Sequence, residues 1–222
     1  MLVLAFLAAA LADAPLADWR EETIVAAWVV LDGQISAACT WPDVPGQGVP
    51  SSCDTHRLDA VVTHADAFTQ QIASDARIVY LSALAERYAG RSTSALARLE
   101  RAAALDPSRA EVWADLAEVR LGLGDADGAV DAARALTRLR PTGPGAWVGW
   151  LQLAQAAATR GDAATFEAAL QVAFDQGLRP EALIAQPAWR RFAEDPTVGP
   201  ALSRSLRLNT SEDDQRAILP PR

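Results

Sequence analysis

The sequence predicts an all-α fold built from antiparallel helix-turn-helix repeats. Its central stretch, residues 110–141, carries two runs of apolar residues at three- and four-residue spacing, the period of an amphipathic helix. Gly124 and Asp125 separate the runs, because glycine readily ends a helix and aspartate caps the next one. Pro141 then stops the second helix. The same pattern recurs along the chain with a period of about 34 residues.

The first of these units occupies residues 76–107. Its turn glycine, Gly90, lies one such period before Gly124, and its closing proline, Pro107, lies the same distance before Pro141. Two landmarks in the same register indicate that both segments fold as the same helical hairpin. Repeats of this length stack on their neighbours, because one hairpin cannot bury its apolar face alone.

A third unit begins at Gly145 and turns at Gly161, which lies slightly more than one period after Gly124. We therefore expect its first helix to be about three residues longer than that of the preceding unit. Trp147 lies one period after Trp113, so these two indoles are expected to occupy equivalent positions on their helices.

These units resemble the tetratricopeptide repeat, a helix-turn-helix unit of about 34 residues. The resemblance rests on Trp113, Leu116, Ala117, Gly124, Ala129 and Pro141 in the second unit and on Ala83, Gly90, Ala95, Ala102 and Pro107 in the first. It implies an α-solenoid that winds as a right-handed superhelix over residues 76–178. In this family the first helix of each unit lines a concave face, which binds a protein or peptide partner.

The resemblance places on that face the side chains of each first helix that do not point toward its hairpin partner. These candidate partner-binding residues are Arg77, Tyr80, Leu81, Leu84, Arg87, Tyr88, Asp115, Glu118, Gln152 and Gln155. Tyr80 and Tyr88 lie eight residues apart, so we expect them to present two aromatic surfaces on one side of the helix. The alternative is that Tyr80 and Leu84 pack against the preceding helix.

Residues 1–12 are apolar but too short to span a membrane, which takes about 20 apolar residues. The small-residue sequence Ala-Leu-Ala at residues 10–12 predicts that they are a secretory signal peptide, cleaved on export. No membrane span is expected after that cleavage. The alternative is a buried N-terminal helix in a cytoplasmic protein. Residues 13–75 form an N-terminal extension with predicted helices at 19–31 and 54–74.

Cys39 and Cys53 are the only cysteines, and the segment between them is rich in proline and glycine. In an exported protein, such a pair predicts one disulfide that closes a loop. Two alternatives remain open. The cysteines are free thiols, or Cys53 joins His56 and His64 in a metal site, although their spacing fits no common zinc pattern.

Residues 179–208 contain short apolar segments separated by prolines. They are predicted to form capping helices, since the last repeat of a stack must cover its apolar face. The sequence Trp-Arg-Arg-Phe that precedes Asp195 and Pro196 resembles the C-terminal end of many bacterial tetratricopeptide repeat proteins. Residues 209–222 are polar and end in a pair of prolines and an arginine, a composition that predicts a disordered tail.

The net charge of −8 disfavours non-specific binding to nucleic acid, which depends on cations that neutralise phosphates. The sequence has no glycine-rich phosphate loop and no zinc-protease or serine-hydrolase motif, so it predicts neither a catalytic site nor a cofactor. Together these observations favour a non-enzymatic adaptor of the bacterial periplasm or cell envelope that binds a protein. The alternatives are a metal-dependent envelope protein or enzyme that uses the region of Cys53, His56 and His64, and a cytoplasmic scaffold.

Overall fold

The computed structural model describes residues 16–42, 50–72, 74–184, 186 and 188–219. These residues are helical almost throughout, which confirms the predicted all-α fold class. The chain divides after Leu105 into two compact units, called unit 1 and unit 2 below. The predicted signal peptide, residues 1–12, lies outside the described residues. Among the described helices, none combines the length and the apolar character that crossing a membrane requires.

Unit 1 contains four helices and one short antiparallel hairpin in its described part. They are α1 (Leu16–Ala38), β1 (Cys39–Thr40), β2 (Ser52–Cys53), α2 (Thr55–Gln71), α3 (Ala76–Tyr88) and α4 (Ser92–Leu105). α1 extends beyond its predicted end because the apolar pattern continues through Ile35 and Ala38, which are both buried. α3 and α4 form the first predicted helical hairpin, and the turn between them contains Gly90 with a φ of 77°.

One apolar cluster joins the first three helices of unit 1. Each helix supplies residues at three-, four- or seven-residue spacing, which places them on one side of that helix. The buried members are Ile24, Leu31, Ile35, Ala38, Leu58, Val61, Ala65, Ile78, Leu81 and Ala85. The N-terminal extension therefore shares a core with the first helix of the repeats.

Charged side chains form a second set of contacts between α2, α3 and the α4 region. Glu86 of α3 is buried and pairs with Arg91, and its distance to the Nε of Arg98 is 3.6 Å. Arg91 also reaches Asp59 of α2 at 2.8 Å. Arg98 donates two hydrogen bonds, of 2.5 and 2.8 Å, to Asp66 of α2. These ion pairs tie the extension to both helices of the first hairpin.

The ion pair of Asp66 predicts that acid destabilises unit 1. Hydrogen bonds from Arg98 hold the pKa of the Asp66 carboxyl below its ordinary value of 3.8. Because this pKa is lower in the folded chain than in the unfolded chain, the stabilisation is complete above the ordinary value and is lost as the pH falls through the folded one. We expect Asp66→Asn to lower the free energy of unfolding by about 1 kcal/mol at neutral pH. The difference from wild type should shrink below about pH 4 in chemical denaturation.

Asp131→Asn is the matched control for this experiment. Asp131 is an exposed carboxylate on a helix of unit 2 and forms no ion pair with any residue that the structure describes. An equal loss of stability in both variants would contradict the role of the Arg98 pair, and so would a loss in Asp66→Asn that does not vary with pH.

Unit 2 contains eight helices in its described part. They are α5 (Ala110–Gly122), α6 (Ala126–Leu139), α7 (Trp147–Thr159), α8 (Ala163–Asp175), α9 (Pro180–Ile184), α10 (Ala188–Glu194), α11 (Gly199–Asn209) and α12 (Glu212–Ile218). α5 pairs with α6 and α7 pairs with α8, as the repeat pattern predicts. In both turns the glycine has a positive φ, 82° at Gly124 and 72° at Gly161. The aspartate after each glycine accepts a backbone hydrogen bond from the next helix.

The third repeat differs from its prediction in the position of its additional residues. α5 and α7 each contain 13 residues, so the first helix of the third repeat is not longer. The additional residues lie in the connection before α7, where Gly143 and Gly145 have φ values of 93° and 78° that a right-handed helix does not accommodate. Counted from the helix starts, Trp150 rather than Trp147 therefore occupies the position of Trp113.

Short helices close the C-terminal end of unit 2. α9, α10 and α11 correspond to the predicted capping segments, and the Trp189 side chain of α10 is completely buried. The disorder predicted for the tail is wrong for its described part, since α12 follows and Ile218 is 2% exposed. Ser211 and Asp214 form a capping box that starts α12. This local signal and one buried apolar residue outweigh the polar composition of the segment.

Candidate functional site

α1 and α3 lie side by side in unit 1 and run parallel, because contacts join them at both ends. Near their N-termini, Arg77 donates hydrogen bonds of 2.6 and 2.8 Å to the two carboxylate oxygens of Glu21. Near their C-termini, the ring of Trp41 meets the ring of Tyr88 edge-on, with centroids 5.8 Å apart and planes at 88°. The side of α1 that carries Glu21 therefore faces the edge of α3.

A column of exposed side chains follows this side of α1. Trp28 lies seven residues after Glu21, and Asp32 and Ser36 follow at successive four-residue steps, so all lie on one side of the helix. Trp41 folds back over the end of α1 and donates its indole N–H to the carbonyl oxygen of Ser36 at 3.3 Å. We call Trp28, Asp32, Ser36 and Trp41 the α1 column. Trp28 is 37% exposed and Trp41 is 38% exposed.

The disulfide fixes the position of Trp41. Cys39 and Cys53 are bonded and pair across β1 and β2. Beside them, Asp54 donates its backbone N–H to the carbonyl of Ala38 at 2.8 Å, which joins the start of α2 to the end of α1. Trp41 lies two residues after Cys39, so the disulfide holds the indole close to the C-terminus of α1. The predicted disulfide thus determines where the exposed indole of Trp41 lies on unit 1.

The structure divides the predicted contact residues of α3 between core and surface. Leu81 is 2% exposed and belongs to the apolar cluster, so it is not available to a partner, contrary to the prediction. Leu84 and Tyr88 are partly buried against the same cluster. For Leu84 this agrees with the alternative prediction, in which it packs against the preceding helix. Tyr80 is half-buried on the same helix.

The predicted cationic contacts of α3 are already engaged within the chain. Arg77 binds Asp75 as well as Glu21, with its Nε 3.0 Å from an Asp75 oxygen. The hydrogen bonds from Arg77 lower the pKa of the Glu21 carboxyl, and the same bonds raise the pKa of Arg77. Arg87 is half-buried and has interactions of its own. Arg77 therefore joins the N-terminal part of α1 to the start of α3.

The predicted contact residues of unit 2 lie on α5 and α7. Gln152 donates its side-chain N–H to the carbonyl of Ala114 at 3.0 Å, so this amide joins α7 to α5. Gln155 donates to the side-chain oxygen of Gln186. Glu118 is exposed on α5, and Asp115 on the same helix is half-buried. Gln152 and Gln155 therefore form hydrogen bonds within unit 2. Among the predicted contact residues of this unit, Glu118 is the exposed one.

The metal-site alternative loses its only thiolate. The Cys53 sulfur is bonded to Cys39, and disulfide sulfur does not supply the anionic ligand that zinc prefers. His56 and His64 are exposed, and the Nδ1 of His64 lies 3.3 Å from the side-chain oxygen of Gln34. Within the described ranges, no group of three or more His, Cys, Asp or Glu residues is arranged to hold a metal.

A sequence profile of the tetratricopeptide repeat family matches residues 87–147, which include the α5–α6 hairpin and its preceding turn. Residues 87–147 therefore carry the sequence pattern of a tetratricopeptide repeat. The α5–α6 hairpin lies within this range, and its turn contains a glycine with positive φ followed by a capping aspartate. The family consists typically of non-enzymatic interaction modules. No curated protein sequence matches the chain significantly.

Solved structures with the same fold include several tetratricopeptide repeat proteins. A crystal structure of MamA matches with a TM-score of 0.58 and 12% identity, over 73% of this chain and 92% of MamA. The thermophilic tetratricopeptide repeat protein TTC0263 of Thermus thermophilus matches with a TM-score of 0.50 and 18% identity, over 69% of this chain and 82% of TTC0263. A second MamA structure matches at 18% identity and a TM-score of 0.50, over 54% of this chain and 63% of that one. At these identities the likeness concerns the fold.

The α1 column lies outside the residues that the sequence pattern predicts as contacts. The helical spacing predicts Trp28 on the buried face with Ile24 and Leu31, but its position at the edge of that face leaves 37% of it exposed. The sequence does contain an indication that this side of α1 faces solvent. Asp32 follows Trp28 by one helical turn, and an acidic residue in this position is typical of a solvent-facing surface. Trp41 carries no local signal, because its position depends on the disulfide.

Proposed function

We propose that this protein is a non-enzymatic adaptor of the bacterial periplasm or cell envelope, and that it binds a partner protein on the α1–α3 surface. The observation that carries the proposal is the α1 column, where two indoles are exposed beside the edge of α3. Exposed tryptophans that are held in place make favourable contacts with a partner, since they bury a large area at low entropic cost. The family likeness supports the interaction role, because helical repeats typically act as binding scaffolds.

The proposed export rests on two sequence features that support each other. Residues 1–12 have the composition of a signal peptide, and disulfides persist mainly in oxidising compartments. N-terminal sequencing of the mature protein from fractionated cells tests the proposal. A mature chain that begins near Asp13 in the envelope or periplasmic fraction would support export. An intact Met1 in the cytoplasmic fraction would favour the alternative of a cytoplasmic scaffold.

The binding surface is tested with the double variant Trp28→Ala/Trp41→Ala. We expect it to capture its partner at least about tenfold less efficiently than wild type, since truncating two central aromatic anchors costs on the order of 1–2 kcal/mol each. The measurement is a tagged pull-down from crosslinked envelope and soluble fractions, quantified by mass spectrometry. The crosslinker must be photoreactive or carboxyl-reactive, because the chain contains no lysine.

Trp19→Ala is the control for the double variant. Trp19 is 54% exposed on the same helix, nine residues before Trp28 and hence on its opposite side. We expect this variant to retain the partner. Equal loss in Trp19→Ala and the double variant would indicate a general effect on α1. Full retention in the double variant would move the proposed binding surface away from the α1 column.

A further inference from the structure

We propose that the α1 column recognises an arginine or lysine side chain of the partner. This inference rests on the proposed function, which it makes specific by giving the chemistry of the bound segment. The partner segment would place its cation between the two indoles of the column, against the carboxylate of Asp32. The partner surface is therefore expected to be basic, whereas this chain carries a net charge of −8.

The spacing of the column suits a cation. Residues four apart on a helix have their Cβ atoms about 5–6 Å apart, so Asp32 lies one turn from Trp28 and one turn from Ser36. The hydrogen bond from Trp41 to Ser36 brings the second indole to the other side of Asp32. A carboxylate flanked by aromatic rings offers a cation both an ion pair and contact with the ring faces.

The local charges favour the same occupant. Asp32 is exposed and forms no ion pair with the residues that the structure describes, unlike Glu21, which is held by Arg77 on the same side of α1. The C-terminus of α1 adds little to this attraction, because Arg57 already donates to the carbonyl of Ala37 there at 3.2 Å. The Asp32 carboxylate is therefore the group that attracts a cation to the column.

Other ligand chemistries fit this surface less well. A purely apolar side chain that covered the column would remove water from the Asp32 carboxylate without supplying a hydrogen-bond donor, which is costly. An anionic group would be repelled by the Asp32 carboxylate. A guanidinium or ammonium group satisfies the carboxylate and stacks on the indoles at the same time, and long-range attraction from the acidic chain would speed its approach.

The test compares two short peptides of identical length, acetylated and amidated, in binding to the full chain. One contains arginine between apolar residues, and the other contains the neutral isostere citrulline in place of arginine. We expect the arginine peptide to bind about five- to tenfold more tightly by calorimetry. We expect Asp32→Asn to remove most of that preference while leaving the helical content and melting temperature unchanged. Raising the salt concentration should weaken the arginine peptide selectively.

Asp131→Asn is the control, since it removes the same charge from an exposed helical position in unit 2. Retention of the arginine preference in this variant and its loss in Asp32→Asn would support the inference. Equal binding of both peptides to wild type would overturn the basic recognition but leave the adaptor function intact, because partner capture depends on the tryptophans. Failure of both peptides to bind would also overturn it, and the pull-down would then decide the adaptor function independently.

Discussion

Replacement of Trp189 by alanine is expected to lower the free energy of unfolding of unit 2 by about 3–5 kcal/mol. The Trp189 side chain is completely buried, and its ring lies 6.2 Å from that of Phe166 on α8 and 5.5 Å from that of Phe192 on α10. Removing the indole would leave a large cavity between the capping helices and the last repeat, and the aromatic contacts would be lost with it. Urea denaturation followed by circular dichroism measures the change.

Two further variants separate cavity formation from other effects of the substitution. The indole N–H of Trp189 has no acceptor among the described residues, so Trp189→Phe loses no hydrogen bond and should cost clearly less than Trp189→Ala. Trp19→Ala removes an indole that is 54% exposed and should cost less than about 1 kcal/mol. A similar loss in all three variants would contradict the capping role of Trp189.

Loss of the disulfide is expected to destabilise unit 1 by about 3 kcal/mol. The sulfurs of Cys39 and Cys53 close a loop with a sequence separation of 14, and a crosslink over such a loop removes conformational freedom from the unfolded chain. The variant Cys39→Ser/Cys53→Ser and the reduced wild type should unfold at similar, lower denaturant concentrations. Trp41 should also become more exposed to a fluorescence quencher, because the disulfide no longer holds it against Tyr88.

The serine variant also provides the control for the reductant. Adding reductant should shift the unfolding midpoint of the wild type and leave that of the serine variant unchanged. An unchanged wild-type midpoint after complete reduction would show that the loop is held by other contacts, such as the Asp54 to Ala38 hydrogen bond.

The repeats are predictable from the sequence because their signals are local. In each unit-2 turn a glycine takes positive φ and the next aspartate caps the following helix, so a few consecutive residues determine where one helix ends and another begins. The family profile extends this pattern over residues 87–147. The third repeat departs from the prediction where two glycines and two prolines form its connection, because loop insertions change the register without changing the helices.

The candidate surface is predictable only in part, because it depends on contacts between distant residues. Trp41 and Tyr88 lie far apart in the sequence, and neither has a local pattern that indicates their ring contact. The position of Leu81 in the repeat predicts a partner contact, but the packing of α1 and α2 on α3 buries it. The C-terminal helix escapes prediction for a different reason, since the capping box at Ser211 is a local signal that the polar composition conceals.

The chemistry of the ion pairs gives the protein an asymmetric tolerance of pH. Asp66 is bound by Arg98, Glu21 by Arg77 and Glu167 by Arg204. The cation of each pair is therefore a guanidinium, and the chain contains no lysine. A guanidinium keeps its proton throughout the range that proteins survive, so alkaline conditions leave each of these pairs charged. A change of pH breaks these ion pairs only when it protonates the carboxylates. An alkaline environment therefore preserves the electrostatic links between the helices, whereas an acidic one removes them together.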